Sequence, residues 1–372
     1  MQQFKVGHAQ GATWQQAVEA CLTQIGDIPG TGNLGFLYVT DTLVAQLSKI
    51  FAHFKDVTGI ENWVGTVGMG ICGSGREYFD EPAIAALIGE FPDDSFRVFP
   101  TIKSSTKNFV RDNESWYAKT NSHFGIVHGD PRNANIPEFV ERLANEIIGG
   151  FLVGGLTSSR GSYSQIARGI TEGGISGVLF AGDVSVTTAL TQGCSPIGIQ
   201  HEITECDGNV AITLDGRPAF DVFQEEVGDL IAREPRRAAG YIFAALPIKG
   251  SDTGDYVVRH LVGFDPEERL LAVGDTLEAG NTMMFCRRDT DSAYKDMLRM
   301  LQSLKDRTEG TPKGGVYYSC VGRGPNLFGR NSEELKVIQQ ELGDFPLVGF
   351  FGNGEVSHNR LYGYTGVLTL FL

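Results

Sequence analysis

Basic residues are in short supply in this sequence: 31 Lys and Arg stand against 45 Asp and Glu, a formal net charge of −14. An acidic surface repels phosphate, which excludes nucleic acid and anionic membranes as partners while leaving room for a local basic pocket. No run reaches the ~18 apolar residues of a membrane span. The opening Met1-Gln2-Gln3-Phe4-Lys5-Val6-Gly7-His8 holds no apolar core of signal-peptide length. Cysteine is sparse. Cys21, Cys72, Cys194, Cys206, Cys286 and Cys320 are scattered with no Cys-x-x-Cys pair, which fits reduced thiols in a cytoplasm. The chain has no G-x-S-x-G nucleophile elbow and no low-complexity segment.

Glycine, by contrast, is abundant at 48 residues, much of it beside apolar strand-like runs. It marks an internal repeat. The order Gly35-Phe36-Leu37-Tyr38-Val39, helical stretch, Trp63-Val64-Gly65, Ala83 to Ile88 recurs twice. It returns as Gly125-Ile126-Val127, Leu152-Val153-Gly154, Gly177 to Phe180, and as Gly315-Val316-Tyr317-Tyr318, Leu347-Val348-Gly349-Phe350, Gly366 to Phe371. From the opening Gly to the Val of each Val-Gly pair the spacings are 29, 28 and 33 residues (64−35, 153−125, 348−315). One supersecondary unit is used three times.

Apolar periodicity predicts helices over 13–25, 42–54, from Pro137 through Ile147, 219–232, 292–304 and 332–342. Thr13 and Ser332 stand as their N-caps where those helices begin at 13 and 332, and Gly343 as a stop. Strands are predicted at 184–188, 210–214, 241–245, 256–259 and 282–286. Hairpin-like returns after each Val-Gly strand make the fold class α+β or mixed α/β, with mixed sheets flanked by helices. At roughly 100–200 residues per domain, 372 residues suggest two domains. The weakest join is Leu214-Asp215-Gly216-Arg217-Pro218, giving domains 1–216, with two repeats, and 217–372, with the third.

The candidate sites lie at the glycine-rich turns. Gly68-Met69-Gly70-Ile71-Cys72-Gly73 spells G-x-G-x-x-G, but the next residues, Ser74 to Asp80, do not open an amphipathic helix. A strand-to-strand turn accounts for the motif better than a dinucleotide site. His201-Glu202-Ile203-Thr204-Glu205-Cys206 departs from H-E-x-x-H and sits in a β context, which predicts a solvated strand face. Cys320 ends a strand beside Arg323, a setting that could activate a thiol if a base were near; a buried apolar thiol is the competing reading. The turns Gly154-Gly155-Leu156-Thr157-Ser158-Ser159-Arg160 and Gly352-Asn353-Gly354-Glu355-Val356-Ser357-His358 read in two ways. They could bind a small polar ligand, with Arg160 or Arg323 clamping a carboxylate and Glu355 receiving an ammonium group. They could equally be hairpin turns whose Asn and Gly supply φ > 0. The ligand-site set is thus Ser158, Ser159, Arg160, Cys320, Arg323, Gly324, Asn353, Gly354 and Glu355, with no catalytic residue assigned. His358 is a candidate imidazole ligand for a metal or haem iron.

Several segments in one order resemble the FIST family, named for F-box and intracellular signal-transduction proteins. They are Gln192 to Gly198, Leu214 to Ala219, Phe285-Cys286-Arg287-Arg288-Asp289, Cys320-Val321-Gly322-Arg323-Gly324 and Gly349 to Glu355. The resemblance spans nearly the whole chain and implies a non-enzymatic sensory module for small ligands, amino acids among them. With no F-box or kinase segment in the sequence, output would pass to a separate signalling protein. Stand-alone members described as haem-binding nitric-oxide sensors imply the alternative: haem, with His358 as axial ligand, and a partner histidine kinase.

Overall fold

The computed structural model describes residues 4–27, 32–120, 124–146, 150–228, 241–248 and 256–372. The chain forms two compact units, Met1–Thr191 with Met297–Leu372, and Gln192–Asp296.

The first unit carries the three repeats. Repeat one runs β1 (Lys5–Gln10), α1 (Trp14–Ile25), β2 (Leu34–Thr40), α2 (Leu47–Thr58), β3 (Asn62–Gly68), the hairpin β4 (Gly70–Gly73) and β5 (Arg76–Phe79), then β6 (Ala83–Gly89). Repeat two runs β7 (Phe96–Ile102), α3 (Lys107–Thr120), β8 (Phe124–Gly129), α4 (Ile136–Glu146), β9 (Phe151–Leu156), the hairpin β10 (Gln165–Ala167) and β11 (Ile170–Thr171), then β12 (Ile175–Phe180). The third opens with β13 (Val186–Gln192), after which the chain enters the second unit.

That second unit is β14 (Cys194–Asp207), β15 (Val210–Leu214), β16 (Arg217–Pro218), α5 (Ala219–Val227), β17 (Ile242–Pro247), β18 (Tyr256–Asp265), β19 (Leu270–Val273) and β20 (Thr282–Arg288). Its strand order β14-β20-β17-β18-β19-β15, with β15 pairing back onto β14, closes an antiparallel barrel. Phe220 and Phe223 of α5 pack into its apolar interior. The join expected at 216/217 falls inside this unit, between β15 and β16. Leu230, Ile231 and Ala232 of the expected fourth helix lie outside the described residues, as does Ile147 of the third.

Repeat three then resumes with α6 (Thr290–Asp306), β21 (Gly314–Cys320), α7 (Glu333–Leu342), β22 (Leu347–Gly352), the hairpin β23 (Glu355–His358) and β24 (Arg360–Tyr362), and β25 (Thr365–Phe371). α3 was not foreseen from periodicity. The expected start of α2 is a 3₁₀ turn over Asp41–Gln46 that bonds straight into the helix. Ser332 takes a left-handed conformation and does not cap α7; its Oγ accepts from the Glu77 N–H instead, at 2.8 Å.

In every repeat the two strands flanking the helix are parallel, β2 with β3, β8 with β9 and β21 with β22, and the last strand returns antiparallel to the first of each pair. The sheets are therefore mixed. No repeat keeps its own hairpin. β4–β5 adds to β22 of the third sheet, β10–β11 to β3 of the first, and β23–β24 to β9 of the second. The exchange is cyclic, so the three sheets meet on one shared apolar core of Phe36, Val64, Phe124, Val153, Val316, Val348 and their neighbours. Helix pairs cover the outer faces: α1 and α2 over the first sheet, α3 and α4 over the second, α6 and α7 over the third. Strands buried on both faces read as continuous apolar runs, which is why alternation is weak in the sequence.

The opening glycines place Tyr38, His128 and Tyr318 at one repeat position, three residues on. They meet in the core. Tyr38 Oη lies 2.9 Å from Tyr318 Oη and 3.2 Å from His128 Nε2. Burial holds His128 down at about 3, so its ring stays neutral.

The Val-Gly glycines set the strand spacing. A Cβ at Gly65, Gly154 or Gly349 would stand 1.9, 1.9 and 1.7 Å from the carbonyl oxygens of Leu37, Val127 and Tyr317. Gly349→Ala is therefore expected to lower the unfolding free energy by about 3 kcal/mol or more. Gly26→Ala, where φ is +66° and nothing lies within 4 Å, should cost about 1 kcal/mol. Urea denaturation compares the two, and equal losses would mean that the glycine does not set the spacing.

Candidate functional site

The expected site residues separate into four groups. Ser158 and Ser159 are buried but occupied by main chain. Ser158 Oγ accepts from Met69 N–H and donates to the Phe351 carbonyl, and Ser159 Oγ accepts from Gly161 N–H. Arg160 is spent on carboxylates: Nε and Nη2 bind Asp41 at 2.8 and 2.7 Å, and Nη1 binds Asp80 at 2.7 Å. Asn353 and Gly354 fasten the β9–β23 junction through Asn353 N–H to Leu156 O and Leu156 N–H to Gly354 O. Each of these five is engaged by main chain or by carboxylates.

Cys320, Arg323, Gly324 and Glu355 do come together, around a residue that sequence reasoning missed. Glu334, in the first turn of α7, is fully buried. It accepts from Arg323 Nε at 2.8 Å, Tyr317 Oη at 2.6 Å, Ser319 Oγ at 3.1 Å and Gly324 N–H at 2.8 Å. A buried carboxylate with this many donors is a fixed anchor. Its signal was present in the sequence: Glu334 lies four residues before the core residue Ile338, on the inward stripe of the helix.

Glu334 fixes only one edge of the Arg323 guanidinium, whose carbon also lies 5.0 Å from the centre of the Phe328 ring. Arg323 is fully buried, and Nη1 and Nη2 have no hydrogen-bond partner among the described residues. Burial opposes its charge, but Glu334 and Tyr317 together outweigh burial and the pKa is raised. Arg323 is therefore a cation with two buried terminal nitrogens that hold no hydrogen-bond partner among the described residues.

Glu355 opens β23 and is fully buried, not displayed on a turn. Its Oε2 accepts from Thr365 N–H at 3.1 Å and Thr365 Oγ1 at 2.8 Å, while Oε1 has no partner among the described residues. Burial pushes its carboxyl up to about 8, against the pull of Thr365 and the Arg323 charge. Glu77, on β5 of the exchanged hairpin, is likewise pushed up to about 8 by burial and by the charge on Glu334. Cys320 is buried, and desolvation followed by the Glu355 charge pushes its thiol up to about 12. That is the opposite of an activated nucleophile.

Two further expectations are corrected, the solvated face at His201 and the haem ligand at His358. His201 is not on a solvated face. It is buried in the barrel unit, with Nδ1 2.7 Å from Asp215 Oδ2 and Nε2 3.3 Å from Glu226 Oε1, while Glu202 and Glu205 on the same strand are exposed. G-x-G-x-x-G is the strand-to-strand turn expected of it, leading from the end of β3 through β4: a Cβ at Gly70 would enter the Phe79 ring, and one at Gly73 the His8 ring. His358 is exposed at the end of β23, with φ +57° and its ring 5.5 Å from that of Phe151. An axial haem ligand needs an apolar enclosure for the porphyrin. An exposed hairpin imidazole two residues from exposed Arg360 does not fit that group. Among the described residues no cluster of three or more His, Cys, Asp and Glu is placed to hold a metal, and no helix is long and apolar enough to cross a membrane.

The class these features define is a repeat-built, mixed α/β module with a barrel unit inserted in its third repeat and one buried charged cluster at a repeat junction. The sequence profile of the FIST N domain matches residues 33–217 and that of the FIST C domain residues 219–358. The chain belongs to the FIST family, whose domains are associated with sensing in signal transduction. It is 28% identical over 353 residues to the uncharacterized protein Rv0628c of Mycobacterium tuberculosis, covering 91% of this chain and 90% of that one. It is 27% identical over 328 residues to the uncharacterized protein Mb0898c of Mycobacterium bovis, covering 83% and 82%. With the uncharacterized protein MJ1623 of Methanocaldococcus jannaschii it shares 24% identity over 298 residues, 73% of this chain and 57% of that one.

The raised carboxyls carry a stability consequence. Glu355 and Glu77 keep a proton in the folded chain where the unfolded chain, near 4.5, has lost it. The folded state then binds more protons, so their contribution is complete below about 4.5 and is lost as pH rises through about 8. Thermal unfolding between pH 5 and about 8.5 should show this fall. Glu355→Gln, which keeps a neutral hydrogen-bonding group, should flatten it; an unchanged slope would remove Glu355 from the effect.

Proposed function

We propose that this chain is a non-catalytic sensor that binds a small polar ligand at the Arg323–Glu355 cluster. The observation that carries the reading is the contrast among arginines at the repeat junctions. Arg160 and Arg132 are half exposed and turned onto carboxylates, Arg160 on Asp41 and Asp80, Arg132 on Asp130 and Glu172. Arg323 alone of these three is fully buried with both terminal nitrogens unengaged. A buried donor without an acceptor costs roughly 1–3 kcal/mol, more for a charged group, and such a cost is retained where a ligand recovers it.

Family membership supports a sensing role. Cys320 and its raised pKa support binding without covalent chemistry. Six free cysteines support a reducing cytoplasmic setting. Transmission to a separate signalling protein, such as a histidine kinase, requires two states of the sensor with different affinity for the ligand. The Glu334 anchor on α7 is the element through which occupation of Arg323 would bias them.

Arg323→Lys keeps a charge against Glu334 but supplies no second and third nitrogen. Protein purified from its native host, analysed by mass spectrometry for co-purifying small molecules, should lose its ligand in this variant. Affinity should fall about ten- to a hundred-fold, the worth of one or two charge-assisted hydrogen bonds of roughly 1.5–3 kcal/mol. Arg160→Lys should leave the ligand in place. Equal retention in both variants would move the site elsewhere.

A further inference from the structure

The third repeat departs from the other two at one register position, and the departure bears on what the cluster accepts. In the exchanged hairpins Ile71 pairs with Phe350, Gln165 with Thr66, and Glu355 with Gly155. Phe350, Thr66 and Gly155 each stand two residues after the Val of a Val-Gly pair, so Ile71, Gln165 and Glu355 are equivalent. Ile71 is apolar core. Gln165 is buried and complete: Nε2 donates to Gly174 O at 2.9 Å, and Oε1 accepts from Ser176 Oγ at 2.7 Å. Glu355 is equally buried but uses one oxygen only. At this register position an ionisable group with a spare atom therefore stands in the repeat that also holds the unengaged arginine.

The charges around it decide its role. Facing Glu355 electrostatically are Arg323 from the loop after β21, Glu334 from α7 and the Cys320 thiol from β21. Glu77 from β5 faces Arg323 and Glu334. Arg323 and Glu334 cancel. The two spare guanidinium nitrogens still require acceptors, and an acceptor that strongly engages both is an oxyanion. Adding that anion beside a charged Glu355 would bury two negative charges with no cation left to offset them. A protonated Glu355 instead turns Oε1 into a donor, which an anion beside it can accept.

We propose that the cluster binds a small oxyanion of the carboxylate or sulfate–phosphate type, held by Nη1 and Nη2 of Arg323 and by an O–H donated from Glu355. This rests on the sensor reading of the same site. It replaces the ammonium-accepting role for Glu355, and the two arrangements differ in their response to one conservative change. A neutral amide at 355 can still donate to an anion but cannot neutralise an ammonium group.

Titration calorimetry with sodium sulfate, sodium acetate and L-alanine at pH 7 and pH 9 tests this on the full chain. At least one simple anion should bind the wild type; the preference for sulfate or for acetate separates the two sources of oxyanion. Binding should weaken about ten-fold at pH 9, as a donor that titrates near 8 loses its proton. Glu355→Gln should bind within about three-fold of wild type and lose the pH dependence, while Arg323→Lys should lose at least about ten-fold. Failure of both anions to bind the wild type overturns the proposal. So does binding of L-alanine that Glu355→Gln abolishes, a result that leaves the small-ligand site standing. Retention of the native-host ligand by Arg323→Lys would instead overturn the placement of the sensor site at this cluster.

Discussion

Each hairpin of the repeated unit gives its main-chain hydrogen bonds to a sheet begun by a different repeat, and through that exchange the three sheets and their shared core depend on one another. β4 completes the third sheet, β10 the first and β23 the second. A repeat taken alone would keep its βαβ pair but would carry an unpaired hairpin and an open edge beside its central strand. The exchange requires strands to approach closely, and Gly65, Gly154 and Gly349 permit this by leaving the neighbouring carbonyl unobstructed. The core then closes on residues at one repeat position, Tyr38, His128 and Tyr318, whose polar tips meet.

The same exchange builds the charged cluster. Glu77 arrives on the hairpin of repeat one, whereas Arg323, Glu334 and Glu355 belong to repeat three. A repeat-based fold offers equivalent junctions, and equivalence lets each be judged against the others. At Gln165 the polar atoms are matched to the main chain and Ser176; at Ile71 the position is apolar; Arg160 and Arg132 are saturated by carboxylates. The junction around Arg323 keeps buried hydrogen-bonding capacity that the fold does not use. Stability alone gives no reason for this, since saturating or deleting those groups would lower the desolvation cost. A ligand that supplies the acceptors gives one.

Insertion of the barrel unit between β13 and α6 accounts for the mismatch between sequence blocks and spatial units. The FIST N and C profiles divide the chain between 217 and 219, at β16 just before α5, whereas compactness divides it at 191/192 and 296/297. The third repeat is therefore split along the chain and whole in space.

Much of the architecture was legible in the amino-acid order. The three Gly…Val-Gly units, the mixed sheets, the hairpin after each Val-Gly strand and the inward stripes of α1, α2 and α4 are dictated by periodicity and by where glycine must stand. α3 escaped because its charged and polar residues dilute the stripe. His201 escaped because a strand pattern does not tell which face a barrel will close over. Arg323 and Glu355 were visible as a possible pair but misplaced on exposed turns, and Ser158, Ser159 and Arg160 could not be separated from them by composition. The sequence by itself determined the repeat, the element types and the residues able to carry charge, since these depend on neighbours a few positions apart. Which arginine is saturated and which carboxyl is buried with an unused oxygen was decided only by tertiary structure. Those properties depend on partners brought from other repeats, over separations that local spacing does not encode.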